Sequence, residues 1–104
     1  MIVFISLFNC EKTMTGGFHY LKEWTFNNNN KEVSYVLTSG TEYLFRFCDS
    51  SNGDFFLEDS DRKLIMKLTL NKTAEFIWKS NSTGIRYIRF ENMENNVVVL
   101  GFRR

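Results

Sequence analysis

Proline is absent from this chain of 104 residues, so it has neither the stiff spacer of a proline-rich linker nor a tail built for extension. Histidine is almost absent as well, with His19 the single example. A hydrolytic triad needs an imidazole base beside a nucleophile. His19 lies in an aromatic stretch far in sequence from Ser39 and Cys48, and there is no G-x-S-x-G elbow. One histidine and two cysteines without paired spacing also argue against zinc. The expectation is a non-enzymatic chain without a cofactor. An excess of one charge is missing too: 13 Lys and Arg face 12 Asp and Glu, interspersed, for a net charge of +1. A duplex-binding surface needs a concentrated positive field to displace counterions, so nucleic acid is disfavoured as a partner. A barrel that binds single strands through rings beside Arg46, Arg86 and Arg89 stands as a rival reading.

Rings are what the chain has in quantity. Eleven Phe, four Tyr and two Trp lie within a hydrophobic fraction of 43%, a bias toward pleated, half-buried strands and a packed core. The length suits one domain. Phe18, Tyr20, Trp24 and Phe26 share one parity, which suits a strand, although Leu21 and Trp24 also suit a short helical turn, and the tract Asn27 to Asn30 reads as a hairpin turn. Val33, Tyr35 and Leu37 share a strand face, as do Tyr43, Phe45 and Phe47. The glycine-bearing stretch Thr38-Ser39-Gly40 between them predicts a hairpin. Further short strands are predicted around Phe55, Phe76 and Trp78, and Ile85 to Glu91, and over Leu64 to Leu70, where the apolar set with Ile65 also suits a helix but the flanking turns and short interval favour a strand. The apolar run Val97 to Phe102 predicts a strand covered on both faces. About seven to nine strands without a long helix indicate an all-β fold, an antiparallel β-sandwich with jelly-roll character, over residues 18–104.

Residues 1–17 read differently. Met1 to Cys10 is an apolar run ending in a cysteine and followed by Glu11, Lys12 and Thr13. That is the order of a lipoprotein export signal, with Cys10 the lipidated residue and the membrane reached only through that anchor. A full leader has a basic n-region and about 15 to 30 residues, so the segment reads either as a truncated leader or, over Val3 to Phe8, as a structural strand. It is too short to span a bilayer, which takes about 20 residues. Cys10 and Cys48 form one bridge in an exported protein or remain two buried thiols in a cytosolic one.

Three segments then fall in a recognisable order: Tyr35-Val36-Leu37-Thr38-Ser39-Gly40-Thr41-Glu42-Tyr43, Phe56-Leu57-Glu58-Asp59-Ser60, and Thr83-Gly84-Ile85-Arg86-Tyr87-Ile88-Arg89-Phe90. Over residues 31–104 the chain resembles the bacterial pre-peptidase C-terminal type of β-sandwich, and more loosely the Golgi-dynamics type of jelly roll. Val97 to Arg104 is similar to the final strand of short exported proteins of Bacteroidetes type. The resemblance implies an extracytoplasmic, non-catalytic accessory module with a protein or glycan partner and no active-site residues to carry over. The chain departs from the pattern at Arg86, where an aromatic is expected and a charge falls on the parity of Ile88 and Phe90, which implies either that Arg86 snorkels from a sheet edge or that the inward face of this strand is the other one. It departs again at Asp61 and Arg62, which replace a glycine and an asparagine.

Two ligand sites compete with the plain interaction module. Asp49, Asn52, Asp54, Asp59 and Asp61, with Gly53 for the bend, offer oxygens to calcium, although turn chemistry explains the same residues. Trp24, Tyr43, Trp78 and Tyr87, with Tyr20 and Tyr35, could form a platform for a sugar or peptide. The sequons Asn71-Lys72-Thr73 and Asn81-Ser82-Thr83 are turn residues unless the chain passes through a glycosylating secretory pathway.

Overall fold

A computed structural model describes residues 10–13, 16–48, 52–70 and 75–104. Among these residues the chain is all-β, with eight strands: β1 (His19–Phe26), β2 (Glu32–Leu37), β3 (Glu42–Phe47), β4 (Gly53–Glu58), β5 (Leu64–Leu70), β6 (Glu75–Lys79), β7 (Gly84–Glu91) and β8 (Val97–Arg103). They form two four-stranded antiparallel sheets in the orders β1-β8-β3-β6 and β2-β7-β4-β5. Eight strands divided in this way are a jelly roll, an architecture that shares its core between two facing sheets. Val3 to Phe8, Asp49 and the Asn71-Lys72-Thr73 sequon lie outside the described residues.

The alternation in the sequence becomes the core because successive side chains on a strand point to opposite faces. Trp24, Phe26, Tyr43, Phe45, Phe47, Phe55, Leu57, Ile88, Phe90, Val97 and Val99 face inward and are buried. Phe45, Phe47, Phe55, Phe76 and Phe90 meet ring to ring, with centroids 5.2 to 6.1 Å apart. Each fully buried ring contributes roughly 2 to 3 kcal/mol of transfer free energy.

Three local expectations change. The stretch between β2 and β3 is not a hairpin, since the two strands belong to different sheets. Thr41 N–H donates to the Thr38 carbonyl at 3.2 Å, so the turn is tight, but the chain leaves it for the opposite layer and the two strands bury their inner faces across the core. The asparagine tract behaves likewise. Asn27 and Asn30 exchange backbone hydrogen bonds of 3.1 and 3.0 Å, while β1 and β2 diverge into different sheets. In β1 a register shift between Tyr20 and Lys22 breaks the parity. Such a bulge moves following side chains to the other face, so Tyr20 packs outside against Phe102 at 6.0 Å while Trp24 and Phe26 point into the core.

The middle of the outer face of β1-β8-β3-β6, on β8 and β3, is also buried. Leu44, Leu100 and Phe102 point away from the core yet are at most 2% exposed, because Phe18, Cys48 and Cys10 pack over them. Residues 10–13 and 16–18 thus form a strap. Cys10 is bonded to Cys48, with Cα atoms 5.1 Å apart. Arg46 Nη1 donates to the carbonyls of Glu11 (2.6 Å) and Thr13 (3.3 Å), and Arg104 Nη1 to that of Gly16 (2.6 Å). The apolar closing strand β8 is therefore covered on both faces. A sulfur held in a disulfide cannot also carry a thioether-linked lipid, so in this structure the bridge displaces the lipidation expected at Cys10.

Candidate functional site

The other outer face, on β2-β7-β4-β5, carries a ladder of arginines over rings. Register places Glu32 of β2, Arg89 of β7, Phe56 of β4 and Lys67 of β5 in one row, with Ser34, Tyr87 and Glu58 in the next. The Arg89 guanidinium lies 4.2 Å from the Phe56 ring centroid and the Lys67 ammonium 5.5 Å from the same ring. Arg62, from the β4–β5 turn, lies 3.6 Å from the centroid of Tyr87. Beyond Tyr87 the cross-strand pair Val36 and Ile85 is 55% and 43% exposed, and Leu64, opposite Glu58, is 57% exposed.

The turn that delivers Arg62 explains one of the acidic residues, Asp59. Asp59 Oδ1 accepts from the N–H groups of Asp61 (2.8 Å) and Lys63 (2.9 Å), and Arg62 N–H donates to the Asp59 carbonyl at 3.0 Å. This is a three-residue hairpin loop whose last position takes left-handed backbone, usually glycine or asparagine. Arg62 occupies it at φ 66°. A non-glycine residue there is strained by about 1 kcal/mol or more, and the side chain supplies the compensation. Both arms of its guanidinium grip the Glu32 carboxylate, Nη2 to Oε2 at 3.1 Å and Nη1 to Oε1, while the plane stacks on Tyr87.

Beneath this lid Glu58 is only 9% exposed and accepts from Arg89 Nη2 at 2.8 Å. That bond, with the nearby Arg62, holds the Glu58 carboxyl below the ordinary carboxylate range against the opposing pull of burial. Asp54 is also lowered, first by the hydrogen bond from Asn92 and then by that from Thr69. A carboxylate whose folded pKa lies below its unfolded value adds stability above the unfolded pKa and loses it as pH falls through the folded one. Melting temperature is therefore expected to hold steady down to about pH 5 and to drop below about pH 4, the unfolded carboxylate range. Glu58→Gln should make that drop shallower in a thermal melt series. An equally steep drop would show that the Glu58 cluster does not set it.

The expected ligand residues are not brought together on one surface. Trp24 and Tyr43 are core residues, 4% and 3% exposed. Trp78 stacks on Tyr43 at 6.4 Å from the inner side. Tyr20 packs against Phe102 on the outer face of the strap-covered sheet, and Tyr35 packs edge-on to Trp24 at 5.3 Å. Tyr87 alone of the four belongs to the arginine ladder. Arg46, Arg86 and Arg89 occupy three surroundings: the outer face of one sheet, the interior, and the outer face of the other. The acidic residues are divided as well. Asp54 and Asp59 sit at opposite ends of β4, about 17 Å apart by strand rise. Asn52 Oδ1 accepts from Glu94 N–H at 2.7 Å, and Asp49 is outside the described residues. Among the described residues no group of three or more His, Cys, Asp or Glu side chains is placed to hold a metal.

Sequence reading missed Glu32, Phe56, Glu58 and Arg62 as site residues. The available signal was Arg62 itself, a long charged side chain at a position where the resembling pattern has a small turn former. Its partner Glu32 is 30 residues away, beyond the reach of any local pattern. Comparison of the chain with known families, curated proteins and solved structures finds no match.

Proposed function

We propose that the chain is a non-enzymatic module of an exported protein, similar in kind to the pre-peptidase C-terminal domains, that docks a partner protein on the outer face of β2-β7-β4-β5. The observation that carries this reading is the unequal dressing of the two outer faces. One is roofed by a disulfide-pinned strap, whereas the other leaves Val36, Ile85 and Leu64 exposed beside Tyr87, Arg62 and Arg89. Tyrosine and arginine around an apolar centre are the side chains most enriched where protein partners bind tightly. The guanidinium groups are already held by Glu32, Glu58 and Glu91, so little rotamer freedom is lost on docking. Guanidinium groups cover the Phe56 and Tyr87 rings, which favours a protein over a stacked sugar. Export is supported by the Cys10–Cys48 bridge, since disulfides persist in oxidising compartments.

A photo-crosslinking residue placed at Ile85 tests the surface in cells of the native host. The expected result is one discrete adduct that Val36→Asp abolishes while the melting temperature is retained. The control position is Ile77, 51% exposed on the outer side of the other sheet. No adduct from Ile85, or the same adducts from Ile85 and Ile77, would refute the assignment.

A further inference from the structure

Arg86 is the one interior cation of the sandwich among the described residues. It lies on the inward parity of β7 with Ile88 and Phe90 and is 4% exposed. The departure from the family pattern is thus a genuine burial of charge, and the strand parity stands. The guanidinium has only neutral partners. Nη1 donates to the Ile85 carbonyl at 3.1 Å, and Nη2 to the Ser82 carbonyl at 3.1 Å and the Ser82 hydroxyl at 2.7 Å. No carboxylate among the described residues pairs with it. Its Nε is the single buried side-chain nitrogen or oxygen among them without a hydrogen-bond partner.

The pattern of filled and empty positions is specific. Nε–H and the adjacent Nη2–H form the side-on fork with which arginine grips a carboxylate by two parallel bonds. The Nε prong of that fork is empty, and the Nη2 nitrogen of the other is shared between the hydroxyl and the carbonyl of Ser82. The surroundings are shaped to hold the fork in place. A Cβ on Gly84 would come within 3.2 Å of Nη1, so glycine at that position leaves room for the guanidinium. The β6–β7 turn above is tied down at both ends. Ser80 is fully buried and exchanges backbone bonds with Gly40 and Thr41 (2.7 and 3.1 Å), and Thr83 Oγ1 accepts from Ser39 N–H at 2.9 Å. Ser82, between these anchors, is exposed. The cover between the fork and solvent therefore includes a surface serine whose hydroxyl bonds to Nη2 of that fork.

We propose that Arg86 is a carboxylate-binding site, entered through the β6–β7 turn by displacement of the Ser82 hydroxyl. A bound carboxylate accepts from Nη2 in place of Ser82 and from the empty Nε, and it neutralises a charge that is costly to bury alone. The site is separate from the outer-face surface and does not depend on it.

The test follows the Arg86 Nε–Hε NMR resonance, identified by its loss in Arg86→Met, while sodium acetate replaces sodium chloride at constant ionic strength. A saturable shift of that resonance is expected, with those of Arg46, Arg62, Arg89, Arg103 and Arg104 unmoved. Acetate should raise the melting temperature of the parent chain over chloride and leave Arg86→Met unaffected. Ser82→Ala, which removes the competing hydroxyl, should tighten acetate binding by roughly tenfold, the worth of one hydrogen bond to a charged group. A short peptide with a free C-terminus and its amidated twin identify the source. Binding by the free form well above that of acetate assigns a chain terminus, and equal binding assigns a small organic acid. An unmoved Arg86 resonance, with equal acetate effects on parent and Arg86→Met, overturns the proposal. The shift is read on the unaltered chain, where sequential assignment through the Arg86 side chain identifies the resonance if Arg86→Met does not fold, and an unmoved Arg86 resonance then overturns the proposal by itself.

Discussion

Replacing both Cys10 and Cys48 by serine is expected to lower stability by about 4 kcal/mol and to lift the strap from its sheet. The bridge closes a loop of 38 residues, and loop-closure entropy for that length falls between the roughly 3 kcal/mol of a 15-residue loop and the 4.7 of a 100-residue one. The native state is affected as well. Cys10 and Cys48 belong to the small cluster with Phe18, Leu44, Leu100 and Phe102, so losing the anchor admits water to side chains that are otherwise buried on the outer face of β8. Arg46 and Arg104 still donate to the strap carbonyls, but exposed bonds of this kind contribute only about 1 kcal/mol each. Denaturant titration should show the fall in stability, and amide exchange should quicken over residues 10–13 and 16–18 more than in β4 or β7. A loss below about 1 kcal/mol with unchanged exchange in the strap would mean that the packing holds the segment without the bridge.

What could be read in advance follows from what period-two alternation encodes. It states which residues share a face, and so it identified the inward Tyr43, Phe45 and Phe47 and the doubly covered β8, whereas at Arg86 it implied either snorkelling from a sheet edge or a mistaken inward face, and the charge is instead buried on the parity of Ile88 and Phe90. It does not state which sheet a strand joins. Thr38 to Thr41 has the chemistry of a hairpin turn, yet β2 and β3 separate, because pairing partners are chosen by contacts as distant as Tyr35 with Arg86. A bulge is equally silent, since Leu21 looks like any strand residue while the parity changes around it. For the candidate site, ring content alone could not sort Trp24 and Tyr43 into the core and Tyr87 onto the surface. The aspartates had two explanations from the outset, and Asp59 settles into turn capping. The disulfide was open for the same physical reason as the strap: a spacing of 38 residues enforces nothing until the sheet brings both ends together.

Gly101→Val is expected to destabilise the protein by about 3 kcal/mol or more, with Gly101→Ala at about 2, near the middle of the range for forced overpacking. Gly101 faces inward on β8, opposite Phe45 of β3. A Cβ there would lie 2.6 Å from Cζ3 and 2.8 Å from Cη2 of Trp24, closer than carbon atoms can approach. The ring has little room to retreat, for it is 4% exposed, with Tyr35 edge-on at 5.3 Å and Phe45 at 6.2 Å. Backbone conformation works in the opposite direction. Gly101 does not adopt positive φ, and at such a position Gly→Ala would ordinarily stabilise by about 0.4 to 1 kcal/mol through the unfolded chain. The sign of the measured change therefore separates the two effects: a loss means that contact with Trp24 outweighs the entropy gain. Trimming the ring isolates that contact. Trp24→Phe removes the two atoms in conflict and opens a cavity of its own, so each single change should destabilise, while the double variant Trp24→Phe, Gly101→Ala should recover about 1 kcal/mol or more relative to their sum. Denaturant midpoints for the four proteins of this cycle decide it. Strict additivity would mean that β8 shifts to accept the methyl group and that Gly101 is not what seats the tryptophan.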